Sequence, residues 1–256
     1  MNPIKSLIVM ALAGLTFAFI NNKPTLYIIG DSTVRNTTKP GDLWGWGSVI
    51  DSFFDADKIS ISNQAMAGRS TRTFVKEGRW DKVLSTVKAG DFVMMQFGHN
   101  DGSKPDTSKA GNRGVLRGVG EDSVVLTWPN GSKETVHTYG WYLRQFIRQA
   151  KDKGANPIVL SFIPRNDWKD GKIIRPVNSF GQFAAQVAKE EGAWFIDLNN
   201  ITADKYDAMG QEKVKPLFPK EHTHTSEEGA RINAASVVDG LKMLPDCPLN
   251  NYLNMN

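Results

Sequence analysis

Cysteine is almost absent: Cys247 is the single one in 256 residues. That excludes an internal disulfide and a thiolate-ligated structural zinc, so stability has to come from a buried core. Histidine is nearly as scarce, with four in the chain. No run of Lys and Arg accumulates; the net charge of +4 is spread along the sequence, which reads as a solvated basic surface rather than a nucleic-acid arm. Low-complexity tracts and internal repeats are missing. Long apolar runs are missing too, except one from about Leu7 to Ile20, preceded by Lys5. This run is too short for a comfortable membrane span and has the shape of an export signal. Residues 1–22 are therefore expected to be a signal peptide, leaving a secreted or periplasmic chain; a retained N-terminal anchor or a buried helix is the alternative.

What is present is a regular alternation. "TLYII" (25–29), "KISIS" (58–62), "DFVMMQF" (91–97), "PIVLSFI" (157–163) and "AWFID" (193–197) are short apolar runs bounded by turn residues. Helical patterns fall near 44–55, 79–88, 139–153, 178–191 and 226–243. Continuous apolar strands separated by helices predict a parallel sheet covered on both faces, a three-layer α/β/α domain over residues 23–256. Residues 101–137 interrupt the rhythm. They are polar and Gly-rich, then give two β-like runs around Asn130-Gly131, a hairpin signal. So long an excursion reads either as a wall of a binding site or as decoration.

In open parallel sheets ligands bind beyond the carboxyl ends of the strands. "GDSTVRN" with Ser32 follows the first predicted strand, "NQAMAGRSTRTF" with Gly68 the second, and "GHND" with Asn100 the third. "PRNDW", with Arg165 and Trp168, follows the fourth, and "FPKEHTHTSEEGA" comes after the fifth. A hydroxyl, a tight turn, an amide and a histidine at one edge are the parts of an acyl-transfer site. Serine becomes a useful nucleophile when a neutral imidazole takes its proton. The oxyanion then formed needs aimed donors, here the backbone N–H groups of Ser32 and Gly68 and the side-chain amide of Asn100. "TSEE" (225–228) reads as a capping box with Thr225 at the N-cap, which puts His224 just outside a helix. Glu221 is placed to reach the second ring nitrogen of His224 and fix its tautomer. His222 points away in an extended loop and reads as packing.

These blocks together resemble the SGNH (GDSL-type) hydrolases, and more narrowly the rhamnogalacturonan acetylesterases, from about Thr25 to Leu244. "IIGDSTV", "NQAMAGRSTRTF", "QFGHND", "HTYGWYLR" and "HTHTSEEGA" carry the likeness. The resemblance implies Ser32 as nucleophile, His224 as base, and Ser32, Gly68 and Asn100 as the oxyanion hole. It also implies a flavodoxin-like five-stranded sheet, no metal or other cofactor, and removal of acetyl groups from a pectic polysaccharide; separately, a monomer is expected. The sequence departs from the family at Glu221, where the acid-x-x-His motif has aspartate.

Beside these stand weaker candidates for holding substrate. Arg69, Arg72 and Arg165 suit sugar carboxylates, and Trp168, with Trp44, Trp46 and Trp141, suits sugar stacking. Structural ion pairs and core packing are the alternatives. Other acylated sugars such as acetylxylan stay open as substrates. Two further readings stay open: a metal-dependent phosphoesterase, since "GDS", "GHND" and "HTH" superficially suit two-metal ligands, and a non-catalytic carbohydrate-binding protein.

Overall fold

Five apolar runs become the parallel strands of one sheet in the computed structural model of the chain, which describes residues 23–37 and 39–254. The expected signal peptide lies outside the described residues. In chain order the elements are β1 (Thr25–Gly30), β2 (Ser60–Asn63), α1 (Thr71–Lys76), α2 (Arg79–Leu84) and β3 (Phe92–Gln96). A hairpin of β4 (Ser123–Thr127) and β5 (Lys133–His137) follows, then α3 (Tyr139–Asp152) and β6 (Asn156–Leu160). A second hairpin, β7 (Trp168–Lys169) and β8 (Lys172–Ile173), precedes α4 (Phe180–Glu190) and β9 (Trp194–Ile196). The chain closes with α5 (Leu198–Met209), α6 (Gln211–Val214) and α7 (Glu227–Lys242).

The sheet order is β2-β1-β3-β6-β9, with every neighbouring pair parallel. This is the flavodoxin-like order expected from the sequence. Side chains alternate across the sheet with period two, and both faces are apolar. Leu26, Ile28, Phe92, Met94, Ile158 and Leu160 join the core on the face covered by α7. Tyr27, Ile29, Val93, Met95 and Val159 join the core built with α3 and α4. Because all five strands run the same way, their carboxyl ends line one edge.

Several local expectations give way to tertiary contacts. The segment 44–55 forms two 3₁₀ turns, Trp46–Ser48 and Ile50–Phe53, rather than one helix. It is pressed against the turn after β1: the Trp46 N–H donates to Thr33 O at 3.0 Å. A Cβ on Gly45 would sit 2.5 Å from the Arg35 backbone, and one on Gly47 would sit 2.4 Å from Val34 O. Backbone contact this close admits only glycine. The N-cap of α7 is Ser226, whose side chain accepts from Gly229 N, and not Thr225. Thr225 is committed elsewhere, bridging to Trp44 and donating its hydroxyl to Trp44 O at 3.1 Å. Helices α1 and α5 and the β7–β8 hairpin had no clear sequence signal.

The excursion 101–137 is tied to the body by one buried cation. Arg72 is 1% exposed and grips Glu134 of β5 with two bonds, 2.8 and 2.9 Å, while donating to Gly114 O at 2.8 Å. Lys76 and the Trp128 indole N–H also donate to Glu134, at 2.7 and 2.8 Å. Burial alone would raise the Glu134 carboxyl, but Arg72 and Lys76 outweigh it and hold it at about 2. Arg72 is thus structural, and its partner lies 62 residues away. Replacing Glu134→Gln leaves a buried guanidinium without its counter-charge, and should cost about 3 kcal/mol of unfolding free energy at pH 7. Because the folded value lies below the ordinary 4.5, the stabilisation is full above that pH and is lost as pH falls toward 2. Denaturant melts at pH 7 and pH 3 should show the gap between wild type and variant narrowing in acid.

Candidate active site

The turn that follows β1 presents Ser32 at the carboxyl edge of the sheet. It is held from below: the Asp31 carbonyl accepts from Val34 N and Arg35 N at 3.2 and 3.0 Å. The Asp31 side chain accepts from Thr33 N and Thr33 Oγ1 at 2.8 and 2.7 Å. Ser32 itself is half-buried. Its Oγ lies 2.7 Å from His224 Nε2, a contact between residues 192 apart. The other ring nitrogen, Nδ1, lies 2.5 Å from Glu221 Oε1.

Glu221 uses its extra methylene to curl back on its own loop. Oε1 also accepts from His224 N at 2.7 Å, and Oε2 accepts from Thr223 N at 2.9 Å. Partial burial pushes its carboxyl upward, but the His224 and Thr223 donors prevail and hold it below the ordinary range. It is therefore an anion at neutral pH, which selects the His224 tautomer with hydrogen on Nδ1 and leaves Nε2 as an acceptor toward Ser32. His222 faces elsewhere: its Nδ1 lies 2.7 Å from Asp167 Oδ1, and its carbonyl accepts from Asn166 N at 2.8 Å. These bonds dock the histidine loop onto the segment after β6.

Gly68 adopts φ +75°, a left-handed conformation that favours glycine. The backbone N–H groups of Ser32 and Gly68 have no hydrogen-bond partner among the described residues. The Asn100 side-chain amide donates to Arg69 O at 3.1 Å, which joins the turn after β3 to the turn after β2 and leaves a second amide hydrogen uncommitted. The structure therefore brings together Ser32, His224 and Glu221 by direct contact, and Asn100 with the Gly68-Arg69 turn.

Beneath these turns lies a polar floor that sequence reasoning missed. The Trp46 indole N–H donates to Gln96 Oε1 at 2.8 Å, and the Gln96 amide donates to Thr33 Oγ1 at 2.7 Å. That hydroxyl continues to Asp31. Trp46 and Gln96 are fully buried, so this chain fixes the nucleophile turn from inside the core. On the other side Asp101 accepts from Thr71 N and Thr71 Oγ1 at 2.9 and 2.6 Å, pinning the start of α1 beside Gly68. Both aspartates are fully buried, and each leaves one oxygen unpartnered among the described residues. Burial raises Asp31 to about 6 and Asp101 to about 7. The one available signal was a lone Gln ending an otherwise apolar strand.

The weaker substrate candidates separate. Arg165 is exposed and lines a cavity of about 320 Å³ beside His99. Arg69 is spent on Glu77, at 3.0 Å, and on Ala67 O. The Trp168 indole donates to Asn166 Oδ1 at 2.7 Å, and its ring packs on a small core with Tyr206 and Phe218. Trp46 is core, and Trp141 stacks on His137 at 3.8 Å. Among the described residues no three His, Cys, Asp or Glu side chains converge as metal ligands, and no helix is long and apolar enough to cross a membrane.

A serine–histidine–carboxylate line at the carboxyl edge of a flavodoxin-like sheet is the arrangement that serine-type hydrolases use. The model of the GDSL-like lipase/acylhydrolase family matches residues 28–232, and the chain belongs to that family; it is an esterase. It is 35% identical to a rhamnogalacturonan acetylesterase of Emericella nidulans, over 82% of this chain and 81% of the relative. It is 30% identical to the rhamnogalacturonan acetylesterase RhgT of Bacillus subtilis, over 89% of this chain and 93% of the relative. Among solved structures, the Bacillus subtilis protein YxiM superposes with a TM-score of 0.71 at 25% identity, over 88% of this chain but 57% of that one. An acetylxylan esterase from Geobacillus stearothermophilus shares the fold at 15% identity and a TM-score of 0.56, over 85% of this chain and 94% of that one.

The buried floor makes stability depend on pH in a defined direction. Asp101 holds its proton more tightly folded than unfolded, so its contribution is full below its ordinary 3.8 and is lost as pH rises toward 7. Asp101→Asn keeps the acceptor for Thr71 and cannot titrate. Relative to wild type, the variant should gain melting temperature steadily from pH 4 to pH 7 and hold a constant gap above. A gap that does not change with pH would show that Asp101 titrates normally.

Proposed function

We propose that this chain is a carbohydrate acetylesterase that removes O-acetyl groups from rhamnogalacturonan through an acyl-enzyme on Ser32. The observation that carries the chemistry is the Glu221–His224–Ser32 line, with contacts of 2.5 and 2.7 Å. The substrate reading is supported by the names of the two acetylesterase relatives that share most of this chain. Residues 23–256 act as one catalytic domain, without a metal or other cofactor.

Ser32 Oγ attacks the acetyl carbonyl carbon as its proton passes to His224 Nε2. The carbonyl oxygen becomes an oxyanion and takes hydrogen bonds from the N–H groups of Ser32 and Gly68 and from Asn100. Glu221 stabilises the imidazolium formed at His224 and keeps its ring in place. Collapse of the tetrahedral species breaks the bond to the sugar oxygen, which takes the proton from Nε2 and departs as a free hydroxyl. Water then repeats the sequence: His224 removes its proton as it attacks the acetyl carbon, acetate departs, and Ser32 Oγ takes the proton back from Nε2. The export-signal shape of the N-terminus supports action outside the cytoplasm, on polymer that cannot enter the cell.

Acetate release from acetylated rhamnogalacturonan, with EDTA present, tests this directly. Wild type should be active and Ser32→Ala inactive. Asn100→Ala should lose on the order of 10²–10³ in kcat. Glu221→Gln should lose on the order of 10⁴ while remaining folded. Activity restored only by divalent metal would overturn the serine mechanism; acetate from acetylated xylan but not from this polymer would reassign the substrate.

A further inference from the structure

Arginine charge in this chain is distributed unevenly. Of its eleven arginines, all but four hold a carboxylate of the chain itself. The four without one among the described residues are Arg35, Arg113, Arg117 and Arg165. Arg35 lies on the nucleophile turn, with its N–H bonded to Asp31 O. Arg113 donates to Gly68 O at 3.2 Å. Arg117 and Arg165 both line the 320 Å³ cavity, whose wall includes Gly98 and His99, the residues immediately before Asn100. An arginine without a counter-charge is ordinary on a surface, but two lining one cavity, with Arg113 on the neighbouring Gly68 turn, are a positive field aimed at it.

The cavity has the build of a small-ligand subsite. Arg117 reaches across from the excursion, lies 5.1 Å over the Phe180 ring and 5.6 Å over Phe183, and donates one N–H to Asn178 O. Its fork is therefore held in place with further donors unused. Arg165 has no hydrogen-bond partner among the described residues and enters from the turn after β6. The one carboxylate in the wall, Asp167, is already engaged by His222. Buried His99 Nε2 also has no partner among the described residues. Its ring stays uncharged, held at about 3 by burial and then by the Arg165 charge. Ile174 and Val177, 46% and 84% exposed, add apolar surface to the wall.

We infer that this cavity is an anionic-sugar subsite, in which Arg117 and Arg165 hold the carboxylate of a uronate residue of the acetylated polysaccharide. Two guanidinium forks meet a planar carboxylate in the geometry that arginine serves best. The apolar wall faces the C–H surface of the sugar. The inference rests on the carbohydrate-esterase reading and specifies where the acidic residue of the substrate sits.

The test uses the full-length enzyme hydrolysing a small neutral ester, p-nitrophenyl acetate. The inhibitors are an acetyl-free oligogalacturonate and the same oligosaccharide after carboxyl reduction. The acid form should inhibit wild type competitively at about tenfold lower concentration than the reduced form or better. The ratio of the two inhibition constants, taken within each variant, should fall toward one in Arg165→Gln and in Arg117→Gln. The corresponding lysine variants should keep part of it. Equal inhibition by the two sugars in wild type, or a ratio that neither glutamine variant lowers, would overturn the subsite. Acetate release from acetylated rhamnogalacturonan is measured alongside. If that release is absent while the ratio is large, the rhamnogalacturonan reading falls and the uronate subsite stands.

Discussion

The 2.7 Å approach of His224 Nε2 to Ser32 Oγ joins residues 192 apart, and neither end of that contact is free to choose its position. One end rides on the first strand of the sheet, and the other on the loop that precedes the last helix. A parallel sheet makes such a contact repeatable, because the carboxyl ends of all its strands share an edge. The alternating apolar residues that bury both faces of β1, β3 and β6 therefore do two things. They supply the hydrophobic stabilisation of the chain, and they set the distances of the reacting groups.

What the sheet places coarsely, buried polar groups fix finely. The chain Trp46–Gln96–Thr33–Asp31 holds the nucleophile turn, and Asp101 with Thr71 holds the turn that carries Gly68. Burying carboxyl groups is unfavourable, as the raised values of Asp31 and Asp101 show. Their positions, one on each side of the candidate oxyanion donors, give the expense a purpose: a turn locked from beneath needs little reorganisation when charge develops above it. The Glu221 loop uses the same device at the surface, where one carboxylate orients the imidazole and ties its own backbone.

The features legible in the sequence were those written locally. Strands buried on both faces read as unbroken apolar runs, so all five fell within about three residues of their final bounds. The blocks around Ser32, Gly68, Asn100 and His224 stood out because each follows a strand. What could not be read depends on partners far away in the chain. Thr225 looked like the helix cap, and nothing nearby says that Trp44, 181 residues earlier, occupies its hydroxyl. Arg72 looked as suited to substrate as Arg165 until Glu134 arrived to neutralise it. Gln96 is a single polar residue at the end of an apolar strand, and its role needs both Trp46 and Thr33 in place.

The central claim is that the acetyl group passes through Ser32. Rapid quenching of wild type during turnover, followed by peptide mass analysis, tests it most directly. The expected result is a transient mass increment of one acetyl group on the peptide containing Ser32, absent from Ser32→Ala and prolonged when Glu221→Gln slows deacylation. Sustained acetate release by a Ser32→Ala protein, with no acetylated peptide at any time, would contradict it.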